Sequence, residues 1–341
     1  MSRIVAVGEV LLRLKSPGPE RLFQSPALEA RFGGAELNAL AALSGFGHST
    51  SLVTTLPESV IGDAALGEIR RLGVGAGAIC RAPGRMGLYF AESGHGVRSG
   101  LVLYDRAGSA FANSIGAGFD WARLLADADL LHLTGVTPAV SPRGSQAARD
   151  AVASAVALGK EVSFDVNFRA PLWEGVAQHA QLTLGSLMRG ATILFASAYD
   201  LATFLALESK VGGTGSGFAE FEALTAAAFD ALPRLQMICT YERTGDHATH
   251  NTLVAAGRDQ RGFYVTAPRE VEGIVDRIGA GDAFAAGVLH RLLAPKPCPD
   301  ALEFGLAATA LKHSVPGDVN LASEEEISAI LAGRSPAKMR R

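Results

Sequence analysis

A chain of 341 residues with 48% hydrophobic and 19% charged side chains has the balance of a folded globular protein, long enough for one large α/β domain or two domains around a substantial core. Its formal charge of −3 gives no electrostatic basis for nucleic-acid or anionic-membrane partners, so an anionic ligand must be met by a few placed arginines. The three cysteines, Cys80, Cys239 and Cys298, lack C-x-x-C spacing and read as thiols of a reducing compartment, and no run approaches the ~20 apolar residues that span a bilayer.

The chain enters directly on Ile4–Val7, without the basic segment and apolar core of a signal peptide, which points to the cytoplasm. Ile4–Val7 is apolar and ends at Gly8-Glu9, the pattern of a buried strand whose carboxyl end meets a ligand. Val10–Leu14 and Leu28–Phe32 look extended. Short strand-like runs recur at Ser51–Thr54, Leu130–Leu133, Val162–Val166, Ile193–Phe195 and Met237–Cys239. Between them Ala35–Phe46, Ala64–Leu72, Gly144–Leu158 and Phe218–Ala231 have helical periodicity. This alternation predicts a mostly parallel sheet covered on both faces. Met86–Ala91 and Leu101–Tyr104 break the rhythm: the Gly- and Ser-rich link between them predicts a hairpin. With the two early extended segments it would form a small sheet projecting as a lid. Gly212–Gly217 reads as a flexible loop and 334–341 as a short basic tail.

Four clusters carry chemistry. Gly33-Gly34-Ala35-Glu36-Leu37-Asn38 opens a helix with paired glycines and an Asn that can bind a hydroxyl. Tyr104-Asp105-Arg106 ends the hairpin with groups suited to a carboxylate or a hydroxyl-rich ligand. Asp165-Val166-Asn167-Phe168-Arg169 puts polar side chains at a strand's carboxyl end. The most informative run is Asp276–Gly287. Gly279, Ala280 and Gly281 expose backbone N–H groups at a helix N-terminus, where an anion is favoured. A carboxylate there, Asp282, would repel a bound phosphate, but it fits a base that takes a proton from a hydroxyl attacking that phosphate. No Walker A loop or protein-kinase signature is present. His132 and His290 read as packed histidines, and no His/Cys/Asp group has transition-metal spacing.

In this order the clusters resemble the ribokinase-like (PfkB) carbohydrate kinases over nearly the whole chain, with Gly279–Phe284 matching the C-terminal signature and Gly33–Asn38 the N-terminal one. Within that family Gly87-Leu88-Tyr89, Tyr104, Arg106 and Asp165–Arg169 are most similar to 2-keto-3-deoxygluconate kinases. The resemblance implies a three-layer αβα domain over 1–333, with lid strands at about 10–14, 28–34 and 86–106 inserted. It implies an ATP- and Mg²⁺-dependent kinase of the sugar's terminal hydroxyl, with Asp282 as base. Tyr89, Tyr104, Arg106 and Arg169 would contact the sugar acid's carboxylate and hydroxyls, Gly33, Gly34 and Asn38 its far hydroxyls, and Asp318, in Lys312–Asp318, is a further substrate contact. Nucleotide contacts would come from Ser197, Asp200, Thr240, Gly279 and Gly281. Asp200 would hold magnesium through water, and some relatives use a monovalent cation near Asp276. Apolar Leu88, Phe90, Leu101 and Leu103 on the lid suggest a homodimer. Two departures fall on the nucleotide side: the family's Asn-x-x-Glu is Ser197-Ala198-Tyr199-Asp200, and its Lys-x-Gly-x-x-Gly strand end is Thr240–His247, without lysine. Another sugar, such as fructose or a different aldonic or keto acid, and a catalytically weak sugar-binding relative are the alternatives.

Overall fold

The first strand shows how the chain makes layers. Ile4 and Ala6 join a core with Leu40, Leu52 and Phe304, whereas Val5 and Val7 join a second core with Val53, Phe164 and Leu187. Because side chains alternate across a strand, a continuous apolar run supplies both faces of a buried sheet. The computed structural model describes residues 1–116, 118–208 and 218–333, so the Gly212–Gly217 loop and the 334–341 tail lie outside the described residues.

The strands are β1 (Arg3–Val7), β2 (Leu11–Lys15), β3 (Glu29–Gly33), β4 (Ser49–Pro57), β5 (Ile79–Ala82), β6 (Gly87–Glu92), β7 (Leu101–Asp105), β8 (Leu130–Thr134), β9 (Glu161–Asp165), β10 (Ile193–Phe195), β11 (Met237–His247), β12 (His250–Asp259), β13 (Gly262–Val265) and β14 (Arg269–Glu272). Ten of them form the central sheet in the order β13-β12-β11-β10-β9-β8-β1-β4-β5, with β14 also on β12. Pairing is parallel from β5 through β11 and antiparallel around β12. Helices cover both faces, giving the expected three-layer αβα architecture.

The other strands form a separate four-stranded sheet, β3-β2-β6-β7. The β6–β7 hairpin pairs Tyr89 with Tyr104 and Phe90 with Leu103, so one face carries the tyrosines and the other the leucines. Inward parity along β2 buries Leu11, Arg13 and Lys15.

Two elements differ from expectation. The helix expected from Ala64 runs over Val60–Arg71, because the Ser59 hydroxyl accepts from Gly62 N and starts it earlier. The strand expected to end at Cys239 continues to His247, since β12 pairs back along its polar half. Among the described residues, no helix is long and apolar enough to cross a membrane.

The helix Ala280–Leu293 lies against the helix Cys298–Lys312 at a glycine crossing. A Cβ on Gly287 would stand 2.8 Å from the Gly305 Cα. This close approach fixes the helix whose first turn carries Asp282.

Candidate active site

A cleft of about 940 Å³ opens where the carboxyl ends of β1, β8, β9, β10 and β11 meet the small sheet and the N-termini of the helices Ala35–Gly45 and Ala280–Leu293. This is the ligand position of an open α/β sheet.

At its floor, Gly279 is left-handed, with φ +81°, and a Cβ there would stand 1.7 Å from the Asp318 carbonyl oxygen. Only glycine fits. The following helix has no side-chain cap, and the Gly281 N–H is left to the cleft without a partner among the described residues, whereas the Ala280 N–H, expected on the anion, donates to the Arg277 carbonyl at 3.4 Å. At Gly281 a Cβ would meet open space, so a ligand can approach the backbone. Asp282, in that first turn, accepts from Asn38 Nδ2 at 2.7 Å. Burial pushes its carboxyl up to about 7; Asn38 opposes the shift, and Asp165 and Asp318 add to it. It is enclosed by protein yet reachable from the cleft, the setting of a base poised near neutrality.

The opposite wall is also acidic at depth. Burial lifts the Asp165 carboxyl to about 7, with Arg169 pulling it down and Asp200 pushing it up. Glu36 is buried, and its carboxyl, raised by desolvation, accepts from Thr134 N, Thr134 Oγ1 and Thr137 Oγ1 at 2.9–3.0 Å. Asn167 adopts φ +40° over Asp165, and its Oδ1 is buried at the cleft wall without a donor among the described residues.

Residues 1–325 match the pfkB family carbohydrate kinases. The chain belongs to that family. It is 29% identical over 337 residues to the 2-dehydro-3-deoxygalactonokinase of Haloferax volcanii, covering 97% of each chain. It is 27% identical to the 2-dehydro-3-deoxygluconokinase of Bacillus subtilis, over 88% of this chain and 86% of that one. Among solved structures, the 2-dehydro-3-deoxygluconokinase of Thermotoga maritima aligns with a TM-score of 0.91 at 32% identity, covering 98% of this chain and 100% of that one.

In this carbohydrate kinase the cleft gathers Gly34, Asn38, Tyr89, Tyr104, Arg106, Arg169, Ser197, Asp200, Thr240, Asp318 and the whole Gly279–Asp282 turn. Gly33 is absent from the lining. It stands behind, where a Cβ would meet Asp318 Oδ2 at 2.2 Å. Several partners differ from expectation. Asn38, expected on a sugar hydroxyl, donates to the Asp282 carboxyl. Both Asp318 oxygens are engaged, Oδ1 by Arg13 Nη1 at 2.5 Å and Oδ2 by the Tyr89 hydroxyl. Asp318 and Tyr89 thus pair with each other ahead of any ligand. Arg106 is buried against Glu9, which takes its Nε at 2.8 Å and Nη2 at 2.6 Å. Among the described residues Arg106 Nη1 has no hydrogen-bond partner, while the Arg106 guanidinium carbon lies 5.7 Å from the Tyr104 ring centre. Arg169 stays exposed, with a hydrogen bond to its neighbour's carbonyl and no carboxylate contact among the described residues. Ser197 and Asp200 form a capping box on the helix Ala198–Phe204, which commits Asp200 Oδ2 and leaves Oδ1 without a donor among the described residues.

The structure adds residues that the sequence reading passed over. Arg13 is 1% exposed and bridges Asp276, at 2.6 Å, to Asp318, at 2.5 Å. Burial opposes its charge, but Asp318, Tyr89 and Asp276 hold it more firmly protonated than usual. Its signal was an arginine on the inward parity of an apolar strand. Arg243 on β11 and Arg277 before the glycine turn also line the cleft. The Arg243 side chain makes no ion pair or hydrogen bond among the described residues, and Arg277 donates to the His247 carbonyl.

Proposed function

We propose that this carbohydrate kinase transfers the γ-phosphoryl group of ATP to the terminal hydroxyl of 2-keto-3-deoxygluconate. The observation that carries the substrate class is Arg169. It is a cation on the cleft wall that makes no ion pair among the described residues and acts on Asp165 and Asp200 only at longer range, whereas Arg106 is paired with Glu9 and Arg13 with Asp318. A neutral sugar gives such a group nothing to neutralise, whereas a sugar acid does. The relatives named as 2-dehydro-3-deoxygluconokinases support the same substrate.

Asp282 removes the proton from the attacking hydroxyl, and Asn38 orients its carboxylate. The new bond forms between the sugar oxygen and the γ-phosphorus as the bond to ADP breaks. The N–H groups of Gly279 and Gly281 hold the charge on the transferring group; donors fixed in advance in this way are worth about 3–4 kcal/mol. Arg243 and Arg277 supply positive charge beside the phosphates where the family's lysine is missing. Magnesium neutralises phosphate charge when bound, and the free Oδ1 of Asp200 suits a water of its shell. The small sheet closes over the sugar and excludes water. Its outer face, with Leu101 and Leu103 about half exposed beside Leu88, Phe90 and an exposed Phe23, suits a second copy of the chain. Use of ATP favours action in the cytoplasm.

The Haloferax relative favours a second reading, the C4 epimer 2-keto-3-deoxygalactonate. Initial rates with ATP and Mg²⁺ against both keto-deoxy acids, fructose and ribose test both readings. A preference of about 100-fold or more for a keto-deoxy acid is expected. Preference for fructose or ribose would overturn the sugar-acid assignment.

A further inference from the structure

Behind the glycine turn lies a second positive charge with no role so far. Lys312 closes the helix Cys298–Lys312 and is 0% exposed. Its Nζ makes no ion pair among the described residues. It donates to two backbone carbonyls, Asp276 O at 3.3 Å and Val315 O at 3.4 Å. Those carbonyls belong to the two loops that build the active-site floor. The first runs from Asp276 into Gly279–Asp282. The second runs to Asp318, whose carbonyl packs on Gly279. The loops are also stitched by Val275 N to His313 O at 2.8 Å and Gly317 N to Asp276 Oδ2 at 3.0 Å.

The ribokinase-like fold suggests a soluble monovalent cation at this place, and the residues present do not fit one. The Asp276 side chain is committed, Oδ2 to Arg13 and Gly317 N, and Oδ1 to Ile278 N at 3.1 Å. Its carbonyl is taken by Lys312. With Arg13 on one side of Asp276 and Lys312 on the other, a third cation would meet repulsion and find no vacant carboxylate oxygen. Burial holds the Lys312 pKa below its usual value and Arg13 adds to that shift, while Asp276, Asp318 and Asp282 oppose it. An ammonium and a potassium ion are close in size, and both are satisfied by carbonyl oxygens.

We propose that the Lys312 ammonium is a built-in monovalent cation that holds the Asp276 loop and the Gly279–Asp282 anion site in register, so that catalysis needs no soluble K⁺ or Na⁺. Lys312 is a positioning residue: it acts through the loop and touches no substrate. The inference rests on the phosphotransferase reading of the cleft but not on which sugar is used.

The test compares turnover of the best sugar from the panel, with Mg²⁺ and the Tris salt of ATP, in tetramethylammonium, sodium and potassium chloride at equal ionic strength. Wild-type rates are expected to agree within about twofold, and a rise of about tenfold or more with K⁺ would overturn the proposal. Lys312→Ala is expected to lose about tenfold or more in tetramethylammonium and to recover with K⁺ or NH₄⁺. Its melting temperature should rise with K⁺, whereas that of the wild type should not move. The melting readout needs no sugar, so it separates failure of this inference from failure of the substrate assignment. A folded Lys312→Ala that is fully active without a small cation, or that no cation rescues, contradicts the proposal. If that variant does not fold, the wild-type salt comparison decides.

Discussion

The two sides of the cleft handle charge in opposite ways. Beneath the small sheet the arginines are paired, Arg13 with Asp276 and Asp318 and Arg106 with Glu9, the Tyr89 hydroxyl donates to Asp318, and Lys15 is held by the Ser16 carbonyl. On the facing wall Arg169 and Arg243 reach the cleft without a carboxylate contact among the described residues. Paired buried charges fix positions, because removing one partner strands the other in a poorly solvating interior. Unpaired cations at a cleft wall contribute little to folding and are free to bind anions. Asp282 stands between the two, held by Asn38 and without an ion pair among the described residues, and burial keeps its carboxyl basic enough to take a proton.

Substitutions can break this contrast. Asp282→Asn removes the base and should lower kcat by about 10²–10⁴-fold with little change in sugar KM, measured in steady state. Arg13→Met strands two buried carboxylates and should cost about 3–5 kcal/mol in urea unfolding. Arg169→Ala in the same experiment should stay within about 0.5 kcal/mol of wild type. Arg243→Ala should raise the KM for ATP by roughly tenfold while leaving sugar KM near its starting value, as expected for loss of one charge-assisted contact.

The smallest effects are pH-dependent. An Asp282 carboxyl near 7 means that kcat/KM should climb with pH through about 7 as the base ionises. Its folded pKa lies above the unfolded one. The stability it contributes is therefore complete below the unfolded value of about 4 and is lost as pH rises through about 7. Asp282→Asn should then melt above wild type at pH 8, by a few degrees, with the gain shrinking toward pH 4. An equal gain at both pH values would disconnect the stability of Asp282 from its charge.

Local chemistry was legible in the sequence and distant pairing was not. Gly279–Asp282 could be read because a glycine turn, a helix start and a carboxylate are contiguous, and the β6–β7 hairpin because its link is short and rich in glycine and serine. The Arg13–Asp318 bridge joins residues 305 positions apart, and the Arg106–Glu9 pair spans 97. Without Glu9 in view, Arg106 reads as an open grip equal to Arg169. The fold makes them unequal. Ser197 and Asp200 read as a weakened metal motif, yet the same two side chains cap a helix, a local role their spacing also permits. The length of β11 was hidden because its outer half is polar and exposed, and its pairing with β12 depends on backbone rather than on pattern.

The central claim is that the unpaired Arg169 reads the substrate's carboxylate. The most direct measurement is a cycle of kcat/KM values for 2-keto-3-deoxygluconate and for its neutral analogue with the carboxylate reduced to an alcohol, in wild type and Arg169→Ala. Wild type should favour the acid by about 100-fold, and the variant should lose most of that preference while turning over the neutral analogue as before. Equal preference for the acid in both proteins would contradict the account.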